Sequence, residues 1–264
     1  MIIGVDMGAS AVKICALEGD RVAFTHYEHG RGGDMPALLE RLGLDAAGAE
    51  LIALTGLSAK NSGLERLGAP VKYIPEPEAI GEGACWLTGC DDLIVASIGT
   101  GTAFVHAKGG RYIHLCGTGV GGGTLKGLAV KVLGVANMRE FDSLAMAGDC
   151  GRVDLLIGDF VESYGILDPE ITASNLARLN PEASREDWAA GLANLVLQII
   201  GTMSLLACTS SGAAGVAVIG ALAGTEPSRA NFAKFQRVYG KDFLIPEHSA
   251  CATAIGAARR ARCV

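Results

Sequence analysis

Two segments of the chain repeat one order of elements: strand, small-residue turn, strand, tight reversal and strand. The first segment runs from Met1 to Glu28, and its turn, called turn 1 here, is Asp6 to Ser10. The second runs from Leu93 to Cys116, and its turn, called turn 2, is Gly99 to Thr102. Repetition of such a unit predicts two similar half-domains, each presenting one turn to a shared cleft.

Both turns are suited to hold an oligophosphate. Glycine and other small residues expose backbone N–H groups with no side chains in the way. The glycine run from Gly117 to Gly123 follows the second segment and leads into a predicted helix over 121–133. A glycine-rich helix start also favours anions. We therefore expect a phosphate chain to lie between the two turns.

Composition narrows the class of protein. The 264 residues are 50% hydrophobic, which predicts a compact globular protein. A net charge of -6 argues against sequence-independent nucleic-acid binding. The apolar start has no basic segment before it and is interrupted by Asp6 and Gly8, so we interpret it as a buried strand and expect a cytoplasmic protein. The eight cysteines have no metal-binding spacing, and most are expected to be buried apolar groups.

The remaining pattern alternates strands with helices, which predicts an α/β fold with a partly parallel sheet. Polar residues inside the long apolar helix over 185–208 favour a core position over a membrane span. Segments 154–164 and 172–175 are expected to add helical decoration. Predicted strands are 50–54, 71–74, 215–219 and 242–244. Predicted helices are 34–42, 58–67, a helix that 75–78 lead into and that ends at about Leu87, 137–147, 227–238 and 249–262, the last broken by Gly256.

Glu76 is the candidate general base. Ligands in open α/β sheets sit beyond the carboxyl ends of strands, and Glu76 directly follows the strand 71–74. Prolines on both sides are expected to keep it out of a regular helix. The alternative is that Glu76 or Glu78 only stabilises the start of the next helix through its dipole, and the spacing alone does not decide between the two.

Gly220 is a candidate contact for a flat ring such as adenine. It ends the strand 215–219, and a small residue there lets a ring approach the backbone. Close packing of a helix on the strand explains the same glycine equally well.

With these pieces placed, the chain resembles the superfamily of acetate and sugar kinases, Hsp70 and actin. The likeness rests on four motifs in the expected order, namely 6–13 and 97–102 for phosphate, 218–221 for adenosine, and the returning helix 250–257. Within the superfamily the chain resembles type II pantothenate kinases, through 117–128, 147–149, 153–155 and 172–175. The likeness spans Ile2 to about Ala258.

The resemblance implies two ribonuclease H-like (actin-like ATPase) half-domains with a nucleotide cleft between them. Residues 1–90, with the helix 249–262 packed back on them, would form one half-domain, and 91–264 the other. The implied activity is ATP-dependent phosphorylation of pantothenate, the first step of coenzyme A biosynthesis, by a homodimer with Mg²⁺ and without a nucleic-acid or membrane partner. The residues implied to hold ATP are Asp6, Gly8, Ser10, Lys13, Gly99, Thr100, Gly101, Thr102, Gly121, Gly122, Gly123 and Gly220, with Asp6 orienting the Mg²⁺ and Glu76 as the base.

One position departs from the family pattern. Where the family has an arginine before its glycine loop, in contact with the pantoate end of the substrate, this chain has His114, with Arg111 three positions earlier. Thr100, Arg111 and His114 are therefore the candidate acceptor contacts, although strand alternation puts Arg111 and His114 on opposite faces. Three alternatives stay open: a kinase of another alcohol or sugar, an ATP-dependent activator that binds an iron–sulfur cluster, and a non-catalytic nucleotide-binding regulator.

Overall fold

The structure, a computed structural model, describes residues 1–30, 33–161 and 168–263. Its elements fall into two groups, each built around a sheet. The first group is β1 (Ile2–Met7), β2 (Ala11–Glu18), β3 (Arg21–His29), α1 (Met35–Arg41), β4 (Leu51–Thr55), β5 (Val71–Tyr73) and α2 (Glu76–Thr88). The second is β6 (Asp92–Ile98), β7 (Thr102–Lys108), β8 (Arg111–Thr118), α3 (Gly122–Leu133), α4 (Met138–Ala147), β9 (Leu155–Leu156), β10 (Thr172–Ser174), α5 (Arg185–Ser211), β11 (Gly215–Ile219), α6 (Glu226–Tyr239), β12 (Phe243–Leu244) and α7 (Ala252–Cys263).

The two sheets have the same topology, which confirms the predicted fold class. Within the described residues, the N-terminal sheet has the order β3-β2-β1-β4-β5 and the C-terminal sheet β8-β7-β6-β11-β12. In each sheet, the three strands that come first along the chain pair antiparallel with one another, and the other two strands are added in parallel. The central strands β1 and β6 thus occupy equivalent places, and turns 1 and 2 follow them at equivalent sheet edges.

Helices α2 and α7 form a layer between the two sheets. The inner face of the N-terminal sheet packs against α7, with Ile2, Cys15 and Ala53 in the same cluster as Ile255. The inner face of the C-terminal sheet packs under α2 through a separate cluster that includes Ile80. The outer face of the C-terminal sheet is covered by α3, α4, α5 and α6. Apolar burial therefore holds the sheets apart by one helical layer.

Glycines bring α2 and α7 into backbone contact. A Cβ at Gly256 would lie 1.9 Å from the carbonyl oxygen of Ala79, and one at Gly83 would lie 2.0 Å from that of Ala252. The prediction that Gly256 breaks the last helix is wrong, because α7 runs through it without interruption. The glycine serves the close approach of the two helices and not a bend.

Most predicted element ends agree with the structure because the capping chemistry is local. Asp34, Asn137, Ser184 and Thr225 each accept a backbone N–H at a helix start. The helix predicted over 58–67 is wrong: residues 59–61 and 64–67 form two short 3-10 helices, and Gly63 between them has φ 73°. A left-handed residue at that point interrupts a continuous α-helix.

The predicted helical decoration is also wrong. β9 and β10 pair antiparallel as a small two-stranded sheet, followed after β9 by a 3-10 turn over 157–159. The carboxylate of the buried Asp154 organises this region, since Oδ1 accepts the Leu176 amide at 2.7 Å and Oδ2 accepts Asn194 Nδ2 at 2.7 Å. Part of the predicted segment 154–164 lies outside the described residues.

Helix α5 is long and apolar enough to cross a membrane by length and composition, with a hydropathy of 1.7 over its most apolar 18-residue window. In the fold, 56% of that window is buried, and residues such as Leu192 and Ile200 belong to the core of the C-terminal sheet. A core position accounts for its apolar sequence. The cysteines are all free, and only Cys15, Cys208 and Cys251 are fully buried, fewer than expected.

The helix contact predicts opposite effects for two glycine substitutions. Gly256→Ala forces a methyl group into the backbone of α2, and overpacking of this kind costs about 1–3 kcal/mol. Gly127→Ala is the matched control, because an added Cβ there meets nothing within 4 Å on the exposed face of α3 and gains helix propensity of about 1 kcal/mol. Thermal unfolding should show a lower Tm for the first and a higher Tm for the second. Equal melting temperatures would contradict the contact.

Candidate active site

Turns 1 and 2 meet across a cleft between the two sheets. Ser10 Oγ in turn 1 lies 2.6 Å from Thr100 Oγ1 in turn 2, a hydrogen bond between residues 90 positions apart in the chain. Each turn follows the central strand of its own sheet, so this bond joins equivalent edges of the two sheets. The structure thus brings together the two turns that the sequence singled out.

The turns leave backbone donors available. The amides of Gly8 and Gly99 are used inside their own turns, on the carbonyl oxygens of Ala11 at 3.1 Å and Gly101 at 2.9 Å. Within the described part of the chain, the amides of Ala9, Ser10, Thr100 and Gly101 donate to no protein group. Four N–H groups on facing turns make a binding place for anionic oxygens.

A row of polar side chains crosses the inner face of the N-terminal sheet beside turn 1. Strand register aligns Tyr27 on β3, Lys13 on β2, Asp6 on β1 and Thr55 on β4. These residues continue the face that is apolar under α7. The row therefore begins where the helical cover ends and the cleft opens.

Asp6 and Lys13 form a largely buried ion pair. Lys13 Nζ lies 3.0 Å from Asp6 Oδ2, and the side chains are only 14% and 7% exposed. Burial raises the pKa of Asp6, and the charge and hydrogen bond of Lys13 oppose that rise. Burial also raises the pKa of Tyr27, which Lys13 lowers in part. Lys13 therefore offsets part of the cost of burying the Asp6 carboxylate.

Glu76 stands at the mouth of the same cleft as the first residue of α2, so the expectation that it lies outside a regular helix is wrong. Pro75 is the helix N-cap, and Pro77 occupies the first turn, where no amide donor is needed. The Glu76 side chain is exposed. Nearby protein nevertheless desolvates its carboxyl group and raises its pKa, the charge of Asp6 raises it further, and Lys13 and His114 lower it.

The candidate acceptor contacts separate in space. Tyr112 on β8 faces α2, where its hydroxyl donates to Glu82 at 2.7 Å, and His114 two residues on shares that face with Glu76. Arg111 pairs with Lys108 at the far end of the hairpin and points to the other face. It lies seven residues from Thr118, or about 23 Å along the strand at about 3.3 Å per residue. The structure therefore separates Arg111 from the other candidate acceptor contacts.

The glycines before α3 support turn 2. The Gly122 and Gly123 amides donate to the carbonyl oxygens of Gly99 and Thr100, both at 2.9 Å, and the Gly121 amide donates to Thr124 Oγ1 at 3.3 Å. These three N–H groups are therefore not free for a phosphate, contrary to the expectation for a glycine-rich helix start. A Cβ at Gly121 would lie 2.7 Å from Gly101 O, which explains the small residues.

Two further predicted nucleotide residues, Thr102 and Gly220, are also occupied by contacts within the protein. Thr102 is 4% exposed, and its hydroxyl donates to Val120 O at 2.8 Å. Gly220 has φ 97°, its amide donates to Ser249 O at 2.8 Å, and a Cβ there would lie 2.3 Å from Ile98 O. Close packing against the end of β6 accounts for this glycine, whereas the alternative interpretation had expected a helix to pack there.

Thr55 and Gly56 were missed as site residues. The sequence showed only a small pair at a strand end, and the parallel pairing of β4 with β1 places that end against Asp6. A Cβ at Gly56 would lie 2.8 Å from Asp6 Oδ1 and 2.6 Å from Met7 O. Gly56 thus leaves room beside the carboxylate oxygen that Lys13 does not bind.

A divalent cation fits this donor set only together with ligands from outside the protein. No group of three or more ligating side chains occurs among residues 1–30, 33–161 and 168–263. Asp6 offers one carboxylate with a free oxygen beside the Gly56 cradle. One carboxylate plus phosphate oxygens and water is a usual arrangement for Mg²⁺.

Paired sheets of this topology with facing turns define the fold of the actin-like ATPases and related sugar kinases. The activator of 2-hydroxyisocaproyl-CoA dehydratase from Clostridium difficile, solved with bound ADPNP, aligns with a TM-score of 0.70 at 18% identity over 98% of this chain and 93% of its own. A ROK family glucokinase from Streptomyces griseus, in complex with glucose and AMPPNP, aligns with a TM-score of 0.57 at 16% identity over 100% and 99%. At these identities the likeness shows the fold alone.

The sequence comparisons give the family. The Fumble family model matches residues 92–257, more than half of the chain, so the chain belongs to the Fumble family. A type II pantothenate kinase from Oceanobacillus iheyensis is 29% identical over 97% of both chains. The match to the Fumble family model begins at β6 and ends in α7, and it includes turn 2.

The Asp6–Lys13 pair predicts how a lysine substitution changes titration. In Lys13→Met the carboxyl group of Asp6 stays buried without its cation, so its pKa should rise further than in the parent protein. A raised folded-state pKa means that the unfolding free energy falls as pH rises from the ordinary aspartate range through that pKa. Carboxyl ¹³C NMR on aspartate-labelled protein measures the titration. An unchanged Asp6 titration in this variant would show that Lys13 does not set the charge of Asp6.

Proposed function

We propose that this chain transfers the γ-phosphoryl group of ATP to the primary hydroxyl of pantothenate, the first step of coenzyme A biosynthesis. Membership of the Fumble family and the whole-length likeness to a type II pantothenate kinase support this acceptor. The Ser10–Thr100 contact carries the structural argument, because it places two turns with free amides beside Asp6 and Glu76.

The phosphates of ATP would lie between turns 1 and 2. The free amides of Ala9, Ser10, Thr100 and Gly101 would donate to their oxygens. The Lys13 amine lies beside Gly8 in turn 1, where an added Cβ would be 3.0 Å from Nζ. The amine is therefore close enough to turn 1 to interact with the negative charge of the phosphates. Phosphoryl transfer requires mainly such positioning and charge neutralisation.

Asp6 is the residue we propose to hold Mg²⁺, through its carboxylate and intervening water. When bound, the cation neutralises charge on the phosphate oxygens. Burial restricts the Asp6 side chain, and the bond from Lys13 holds one of its oxygens, so the carboxylate would be positioned before the nucleotide arrives.

Glu76 is the proposed general base. It would accept the proton of the pantothenate hydroxyl as the hydroxyl oxygen bonds to the γ-phosphorus and ADP leaves. Its raised pKa makes it a stronger base than an ordinary glutamate and brings its pKa closer to neutral pH, where a base works best. His114 shares the cleft face with Glu76, and Thr100 contacts Ser10 where the two turns meet, so both would contact the acceptor.

Further assignments complete the proposal. We place the nucleotide cleft between residues 1–90, joined by 249–262, and residues 91–264. We also propose a cytoplasmic homodimer without nucleic-acid or membrane partners. The acidic net charge and the exposed Leu206 on α5 are compatible with these assignments.

An acceptor panel tests the proposed function. ADP release is expected with pantothenate and not with N-acetylhexosamines or hexoses, and mass spectrometry should find 4'-phosphopantothenate. Faster turnover of another alcohol would show that this alcohol, and not pantothenate, is the acceptor. Tight ATP binding without any phosphorylated product would favour a regulator, and a brown protein after anaerobic purification would favour a cluster-binding activator of the kind that shares this fold.

A matched pair of glutamate substitutions tests the base. Glu76→Gln should lower kcat by about 100- to 10,000-fold, the usual contribution of general-base catalysis, and leave ATP-analogue binding nearly intact. Glu78→Gln is the control, because Glu78 is already paired with Arg260 Nε at 2.8 Å. Loss of turnover in the control with retention in Glu76→Gln would move the base to Glu78.

A further inference from the structure

The side-chain hydroxyl of Thr55 is buried without a partner. Thr55 is 2% exposed, and its Oγ1 makes no hydrogen bond to any described residue. Buried hydroxyls in native proteins nearly always have a partner, since an unpaired one keeps the full cost of leaving water. An exception beside a candidate active site indicates that the partner forms in another state of the site.

The neighbouring acceptor is the Asp6 carboxylate. Thr55 ends β4 and is the register partner of Asp6 in the parallel pair β1–β4, so both side chains lie on the inner face of the sheet. Lys13 binds Oδ2 from the β2 side. Oδ1 faces the β4 side, where Gly56 leaves space for it.

We propose that Thr55 is a positioning residue for Asp6, whose hydroxyl donates to Oδ1 when the nucleotide and its hydrated divalent cation occupy the cleft. Asp6 would then be held from both sides, by Lys13 through one oxygen and by Thr55 through the other. A carboxylate that serves a cation is usually fixed by hydrogen bonds of this kind. This inference rests on the proposed nucleotide site but not on the identity of the acceptor.

The alternative is that Thr55 only fills space under the cleft. Valine has nearly the same shape, so it preserves packing and removes the hydroxyl. Because that hydroxyl has no partner in the structure, Thr55→Val should leave the Tm of the nucleotide-free protein unchanged or raise it. If Thr55 positions Asp6, the loss of its hydroxyl should therefore weaken cation binding without lowering the Tm.

The test uses the full chain with Mn²⁺ and a non-hydrolysable ATP analogue, and electron paramagnetic resonance measures free Mn²⁺. Thr55→Val is expected to weaken Mn²⁺ binding by about 10- to 100-fold, the usual loss when a group that orients a side chain serving a metal is removed. Thr55→Ser, which keeps the hydroxyl, should restore most of the affinity.

Thr172→Val is the matched control. This buried threonine lies in the C-terminal part of the fold, and its hydroxyl accepts Asn194 Nδ2 at 2.9 Å. The control should lower the Tm and leave Mn²⁺ binding unchanged. Parental Mn²⁺ affinity in Thr55→Val, or a Tm that falls as in the control, would overturn the inference. If the parent chain binds no Mn²⁺ with the analogue, the proposed nucleotide site fails and the inference with it, whereas a wrong acceptor leaves the measurement unaffected.

Discussion

The contact between α2 and α7 sets the geometry of the whole molecule. Gly83 and Gly256 let the two backbones meet, so a single thin layer of helix separates the two sheets. That spacing brings Ser10 and Thr100 within hydrogen-bond distance. It also carries Glu76, the first residue of α2, to the edge where the turns meet. The cleft therefore depends on the packing of α2 against α7 at Gly83 and Gly256, which are not cleft residues. That packing sets how closely turns 1 and 2 approach each other.

The inner face of the N-terminal sheet changes character along its strands. Under α7 it is apolar, with residues such as Ile2 and Ala53, and beyond α7 it carries Asp6, Lys13 and Thr55 in register. Burial of an isolated carboxylate is costly, and the adjacent lysine offsets that cost. Helix α7 thus contributes to the core, and the polar row of Asp6, Lys13 and Thr55 begins where its cover of the sheet ends. Desolvation raises the pKa of Glu76 and the charge on Asp6 raises it further, so the proposed cation ligand influences the proposed base.

The glycines around the cleft divide into two kinds of use. In turns 1 and 2, small residues leave the amides of Ala9, Ser10, Thr100 and Gly101 free. Before α3, glycines allow the helix start to reach behind turn 2 and bind its carbonyl oxygens. A turn braced in this way is preorganised, so less ordering is needed when an anion binds. The sequence does not distinguish the two uses, because a glycine permits close approach whether the approaching group is a ligand or another part of the backbone.

The sequence by itself determined most of the order of strands and helices, the two similar half-topologies and the two small-residue turns, because alternation, capping and turn chemistry act between near neighbours. It also selected Asp6, Lys13 and Glu76, whose residue types suit a phosphate cleft. Only the tertiary structure decided that His114 and not Arg111 lies near Glu76, that the amides of 121–123 are already bonded, and that Thr55 stands beside Asp6. These outcomes depend on which distant strands become neighbours and in which register, and a shift of one residue would turn each side chain to the opposite face.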